Sequence, residues 1–306
     1  MPALLSHHLF GKTVVSKMGG GAFPTINERA AFLLGNQGPD PLFYALFTPA
    51  MREVKRFGSV LHSERVDMTI DVMRDYACSL EDEYMKIIDA YLCGFICHFT
   101  LDSIEHPLIL SQQEAIISAG ILGLDETAAS VVHGQIETDL DAMMLYRSTG
   151  KTVKDYQITK HVLQGDALVL SLLDEFFNHV AWRAHDVILP DDVFSRSVKD
   201  MRTSVRVLQS RSGLRRTLLG YGERLVRPHS LMQAMSHRVD VGRSSEFDNA
   251  IKEPWKHPFT GEISEASFSE LFDVAIEVAV KNLRLYADGS ETRRITSGLD
   301  FSGRPQ

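Results

Sequence analysis

Ile88-Asp89-Ala90-Tyr91-Leu92-Cys93-Gly94-Phe95-Ile96-Cys97-His98-Phe99-Thr100-Leu101-Asp102 is the stretch that decides the fold. Ile88, Leu92, Phe95 and Phe99 recur at intervals of three and four, which puts them on one stripe of an α-helix. The spacing predicts a core-facing helix over residues 81–102. Outward from it the same period returns. Val66, Ile70, Met73 and Ala77 mark a helix over 59–77, and Ala129, Val132, Ile136, Leu140 and Met143 one over 126–146. Residues 158–184 are rich in Leu, Val and Phe, and Phe268, Phe272, Ala275, Ala279 and Leu283 mark a helix over 267–286. Alternating strand-like runs are nearly absent, so the expected class is all-α, a compact multi-helix bundle.

The breaks between these segments carry turn chemistry: Gly19-Gly20-Gly21 with Pro24, residues 35–41, His106-Pro107, Leu189-Pro190 and residues 253–261. Pro107 places the end of the central helix near residues 104–106, because a residue before proline is pushed out of the helical region. None of the breaks is long enough to separate domains, and no internal repeat is present. The expectation is therefore one large helical domain over 1–306. Its candidate metal ligands fall in about 1–150, further packed helices occupy 151–287, and the polar stretch 288–306 reads as a loose tail.

Apolar residues make up 44% of the chain and charged residues 24%, ordinary globular values that permit a sizeable core. The formal charge of −8 argues against bulk attraction to nucleic acid or anionic lipid. One local exception is Arg211, Arg215, Arg216, Arg224 and Arg227, interleaved with leucines. This reads as a basic amphipathic helix, either a solvated face or a contact for phosphate-bearing substrate or lipid. The first ten residues have no basic segment leading into an apolar run. No later run approaches the roughly 20 apolar residues that span a bilayer. The expected location is cytoplasmic, with no stable membrane insertion. Cys78, Cys93 and Cys97 suit reduced core thiols better than a disulfide framework. Composition and pattern set no oligomeric state.

Histidine is the conspicuous residue, 12 in number. His98 and Asp102 stand four apart on the central helix, so an imidazole and a carboxylate share one face and can converge on a cation. Gly94, one turn earlier, leaves room for another chain to approach. His106, four further on and at the expected helix end, is placed to serve a second ion. His133 and Glu137 repeat the four-residue spacing on another predicted helix. His62 opens the 59–77 helix, Asp40 lies in the turn Gly38-Pro39-Asp40-Pro41, and His7 and His8 sit near the start. The candidate ligands are then His7 or His8, Asp40, His62, His98, Asp102, His106, His133 and Glu137. This nitrogen-and-oxygen set is suited to zinc or a similar borderline ion, and too large for one tetrahedral centre. Against it stands the plain reading that a His and carboxylate four apart is a helix-surface pair worth a few tenths of a kcal/mol.

The order His7, Gly38-Pro39-Asp40, Leu61-His62, His98 with Asp102 and His106, then His133 with Glu137 resembles the zinc-dependent phospholipase C family and, more distantly, the fungal single-strand nucleases. The resemblance covers roughly residues 5–145, about half the chain. Glu253-Pro254-Trp255-Lys256-His257-Pro258 is also similar to a segment of cytosolic-type members. The resemblance implies that Asp40, His62, His98 and Asp102 hold one zinc and that His106, His133 and Glu137 hold another. It further implies that Asp102 bridges towards a third ion near His7. In secreted relatives an N-terminal tryptophan completes that third site. This chain has no such tryptophan, so two or three ions are implied.

Zinc supplies activated water at neutral pH, and neither a Gly-x-Ser-x-Gly elbow nor a phosphate-cradling P-loop is present to offer another route. The expected activity is zinc-dependent phosphoester hydrolysis, phospholipase C-like, on a soluble head-group ester or a nucleotide-like substrate. Asp40 is expected as a ligand or as the base that orients the attacking water. The competing expectations are a single-strand nuclease or nucleotidase, and a non-catalytic interaction protein whose metal holds helices together.

Overall fold

The structure is a computed structural model and describes residues 3–120, 125–209, 230–237 and 244–306. Helix dominates, 68% against 2% strand, which establishes the all-α class. The helices are α1 (Leu4–Lys17), α2 (Ile26–Gly35), α3 (Met51–Ser63), α4 (Val66–Cys78), α5 (Asp82–Ser118) and α6 (Ala129–Thr149). They are followed by α7 (Ile158–His161), α8 (Ala167–His185), α9 (Val193–Leu208), α10 (Leu231–Ala234), α11 (Phe268–Ala287) and α12 (Thr292–Thr296). A short antiparallel pair joins β1 (Trp255–Lys256), in the stretch read as loop, with β2 (Ile263–Ser264) just beyond it. The indole of Trp255 donates to the Ala266 carbonyl there. The arginine-rich stretch Arg211 to Arg227 lies outside the described residues.

Instead of one domain with sequential parts, the chain forms two interleaved compact units. The first comprises Met1–Leu9, Glu105–His161 and Val205–Asp273; the second comprises Phe10–Ile104, Val162–Ser204 and Val274–Gln306. Interleaving follows because α1, α5, α9 and α11 each begin in one unit and end in the other.

In the second unit, α2 starts on an N-cap in which the Thr25 hydroxyl accepts from the Glu28 N–H and donates to the Glu28 carboxylate. The core is aromatic. Tyr91 packs edge-on against Phe176, Phe177 and Phe194, and the last two stack at 4.5 Å. The Tyr91 hydroxyl donates to the Gly38 carbonyl at 3.0 Å, so the core also fixes the turn that leads to Asp40. Gly94 has the role expected of it. A Cβ there would stand 2.1 Å from the Phe32 carbonyl oxygen, and Gly35 of α2 meets it face to face.

Three expectations about helix ends are corrected. Residues 59–77 are not one helix: α3 ends at Ser63, Arg65 adopts a left-handed conformation with φ 53°, and α4 begins at Val66. His62 therefore closes a helix rather than opening one. The break survives because its exposed backbone groups find partners in residues 301–306. Residues 158–184 likewise divide at 162–166, where Asp166 accepts from the Val169 N–H and starts α8. Pro107, by contrast, does not end α5. An interior proline costs about 3 kcal/mol, and burial of Leu101, Leu108 and Ile109 on either side, about 1.5–3 kcal/mol each, outweighs it. Part of α5 is long and apolar enough to cross a membrane, yet 78% of that window is buried inside the protein, as in a core helix.

The stretch 288–306 is not loose. Ile295 and Phe301 are 2% and 1% exposed, and the hydroxyls of Thr292 and Thr296 donate to Asp71 and Asp67 of α4. Two apolar anchors and a set of side-chain hydrogen bonds suffice, which composition alone underrates.

In the first unit, α6 is buried continuously from Ile136 to Leu145, carboxylates included. Asp141 accepts from the Leu5 and Ser6 N–H groups at the start of α1 and pairs with His237 at 3.2 Å; Asp139 accepts from Ser245. Those two N–H groups have no partner within their own helix, so the carboxylate and the helix dipole stabilise one another.

Candidate metal centres

The second unit brings together Asp40, His62, His98 and Asp102. Asp40 opens a 3₁₀ turn, Asp40–Tyr44, that follows α2; His62 sits in the last turn of α3; His98 and Asp102 stand on α5. His62 Nε2 lies 3.1 Å and His98 Nε2 3.8 Å from Asp40 Oδ1, and His98 Nε2 lies 3.3 Å from Asp102 Oδ2. His98 is fully buried, and Asp40 and Asp102 are 6% and 7% exposed.

The first unit brings together His106, His133 and Glu137. Glu137 Oε1 lies 3.5 Å from His106 Nε2 and 3.2 Å from His133 Nε2. His106 is on α5 and the other two are on α6, as their four-residue spacing requires. Burial pushes the Glu137 carboxyl up, but nearby positive charge and hydrogen bonds from His133 and His106 outweigh it and hold the group well below the usual carboxylate range. His7 and His8 are buried on α1 in the same unit, beside the Ser6 N–H that Asp141 holds. Met1 and Pro2 lie outside the described residues.

The opposite ring nitrogens decide how these histidines face their carboxylates. His62 Nδ1 is 2.7 Å from the Gly58 carbonyl, His98 Nδ1 3.2 Å from the Asn36 carbonyl, and His133 Nδ1 2.8 Å from the Gln113 side-chain oxygen. An oxygen of this kind only accepts, so Nδ1 carries the proton in each ring. In the neutral imidazole Nε2 is then a lone pair, and in all three rings it points at a carboxylate, which is another acceptor. Such an arrangement is satisfied by a doubly protonated ring, by a protonated carboxyl, or by a cation between the two. Doubly protonating His98 would put a charge on a ring with no exposed surface, which is costly. A tetrahedral ion with ligands about 2.0–2.1 Å away would hold them about 3.4 Å apart, close to the spacings in both groups. His62, His98 and Asp102 offer donor atoms within 4.8 Å of one another, and so do His106, His133 and Glu137. The residues present therefore fit a divalent ion of the zinc type.

Sequence reasoning missed the groups that orient these ligands. Gly38, with φ +50°, lets the turn pass so close to His98 that a Cβ would stand 2.2 Å from its Cδ2. Asn36, Gly58, Gln113 and Phe301 hold rings by backbone, amide or aromatic contact, which no ligand spacing announces. Asp139 and Asp141 had a signal: acidic residues inside an apolar helix. Cys97 is buried with its thiol pKa pushed up by burial, and His185 bonds Thr69. Comparison with protein-family models, with curated proteins and with solved structures returned no match for this chain.

Proposed function

We propose that this protein is a zinc-dependent phosphoesterase, phospholipase C-like in its ligand order, that hydrolyses a soluble phosphoester by metal-activated water. The observation that carries this reading is the set of three imidazoles, His62, His98 and His133, whose Nδ1 atoms donate to fixed oxygens while their Nε2 atoms face carboxylates. Carbonyl-oriented imidazoles opposed to carboxylates are what a metal centre requires of its surroundings. Imidazole and carboxylate donors suit zinc and similar borderline ions. Zinc, when bound, lowers the pKa of a water ligand towards about 7 and polarises a phosphoryl oxygen.

The chain's own residues then divide the work. Asp40 presents Oδ1 to both His62 and His98 and would hold the ion through that oxygen. Asp40 would also orient the attacking water and accept its proton, the catalytic role assigned to it. Asp102 completes that centre, and Glu137 serves His106 and His133. Soluble head-group esters or nucleotides suit a chain of net charge −8 better than an anionic bilayer does.

Native mass spectrometry of protein never exposed to chelator tests the metal reading. At least two divalent ions per chain are expected, one fewer in His98→Ala and one fewer in Glu137→Gln. A panel of phosphodiesters, phosphomonoesters, phosphatidylcholine vesicles and oligonucleotides, with His98→Ala as control, tests the chemistry. One ion or none would overturn the two-centre reading. Full occupancy with no hydrolysis would replace the enzyme by a metal-stabilised interaction protein.

A further inference from the structure

We propose that residues 297–306 are the positioning element of the Asp40, His62, His98 and Asp102 centre, with Phe301 as the residue that holds the two imidazoles in place. The inference rests on the metal reading of that centre.

His62 stands in the last turn of α3, where carbonyls have no partner within the helix and a side chain is normally free to splay. Here the His62 and Ser63 carbonyls and the Val66 N–H are taken by one segment. The Phe301 N–H donates to the His62 carbonyl at 3.1 Å, and the Gln306 amide nitrogen donates to the Ser63 carbonyl at 2.7 Å. The Gln306 amide oxygen accepts from the Val66 N–H, the first of α4, at 3.2 Å. One glutamine side chain thus stands in for the backbone across the α3–α4 break and sets where α3 stops. That stopping point aims His62 at Asp40.

The Phe301 ring does the rest. Its centre lies 4.8 Å from the His62 ring and 5.6 Å from the His98 ring, and it is wedged against Phe95 and Phe99 of α5. It is 1% exposed. It covers both imidazoles while their Nε2 edges stay turned to the carboxylates, and with Gly38 on His98 it leaves little room for either ring to turn. The segment is stiff enough for the task. Asp300 Oδ1 accepts from the Ser302 and Arg304 N–H groups, and the Gln306 N–H closes the loop onto the Gly298 carbonyl. The hydroxyls of Thr292 and Thr296 tie the preceding helix to α4. Residues outside the ligand set that orient ligands are worth about 10–100-fold in metal affinity, the range expected of Phe301.

The test compares two centres in one molecule. Zinc affinity is measured by competition with a chromophoric chelator for the natural protein, Phe301→Leu and Gln306→Ala, with folding followed by far-UV circular dichroism. Phe301→Leu is expected to weaken one class of site about 10–100-fold and Gln306→Ala to weaken the same class less. The class is identified as the one abolished by His62→Ala, and the class abolished by His133→Ala stays unchanged. Cobalt substituted into the weakened class is expected to show an altered d–d spectrum. Equal weakening of both classes, or no change in the His62 class in both variants, would overturn the positioning role. Natural protein that binds no zinc would instead overturn the metal reading, a different outcome from a bound ion indifferent to Phe301. If Phe301→Leu fails to fold, Gln306→Ala, which removes no core volume, decides alone.

Discussion

At the scale of single residues, the candidate centres depend as much on what holds the imidazoles as on the imidazoles themselves. Gly38 is the sharpest case. Its left-handed backbone costs an L-residue about 1–2 kcal/mol, and an added Cβ would also meet the His98 ring at 2.2 Å. Gly38→Ala is therefore expected to lower stability by about 2 kcal/mol or more. It should also displace His98, so that metal is lost from the His62 and His98 centre while the His106, His133 and Glu137 centre keeps its own. Urea unfolding and metal content per chain check the two halves separately. Unchanged stability with full occupancy would show that the ring is not held by this turn. Cys97 lies one residue from His98, and burial raises its thiol pKa, which disfavours the thiolate there.

At the scale of elements, the crossing of α2 on α5 sets the position of the first candidate centre. Gly35 and Gly94 bring the two backbones together: a Cβ on Gly94 would lie 2.1 Å from the Phe32 carbonyl oxygen and 2.8 Å from Gly35 Cα. In an isolated helix, alanine in place of glycine would add about 1 kcal/mol of stability. Here the obstructing atoms are backbone, which cannot step aside as a flexible side chain can, and overpacking of this kind costs about 1–3 kcal/mol. Gly94→Ala is expected to lower the melting temperature despite its better helix propensity. It should also move the Asn36 carbonyl away from His98 Nδ1. A melting temperature equal to or above that of the natural protein would contradict the close crossing. Pro107 teaches the complementary lesson, since a residue that ends isolated helices is carried through α5 by buried neighbours on both sides.

At the scale of the molecule, histidines outside the candidate centres couple stability to pH. Burial, aided by the nearby Arg183 and Arg65, pulls the His179 and His185 pKa values down, and both residues belong to the second unit. A depressed histidine favours the neutral ring in the folded state. Between the folded pKa and the unfolded value of about 6.5, the unfolded chain binds more protons, so stability rises with pH. The contribution is fully present above about pH 6.5 and is lost as pH falls through the folded pKa values. The loss of stability between pH 7.5 and pH 5.5 is expected to be smaller in His179→Gln/His185→Gln than in the natural protein. Denaturant midpoints in the same metal state measure it. An undiminished loss would assign the acid sensitivity to other groups.

The sequence by itself determined the all-α class, because the three-and-four spacing of apolar residues along segments such as Ile88 to Phe99 is a local property that burial must respect wherever the helix packs. It also determined that His98 with Asp102, and His133 with Glu137, would share faces, since four residues is about one helical turn. Tertiary structure alone decided the rest. That Asp40 and His62 meet His98, that α3 stops one residue after His62, and that Phe301 packs on both imidazoles all depend on contacts between residues distant in the chain. Such contacts leave no periodic trace. Composition read residues 288–306 as loose because they are polar, but their polar groups are spent on helix ends and loop closure, with Ile295 and Phe301 buried between. A helix face is written in the spacing of neighbours, whereas a ligand's orientation is set by whichever carbonyl, amide or ring the fold brings against it.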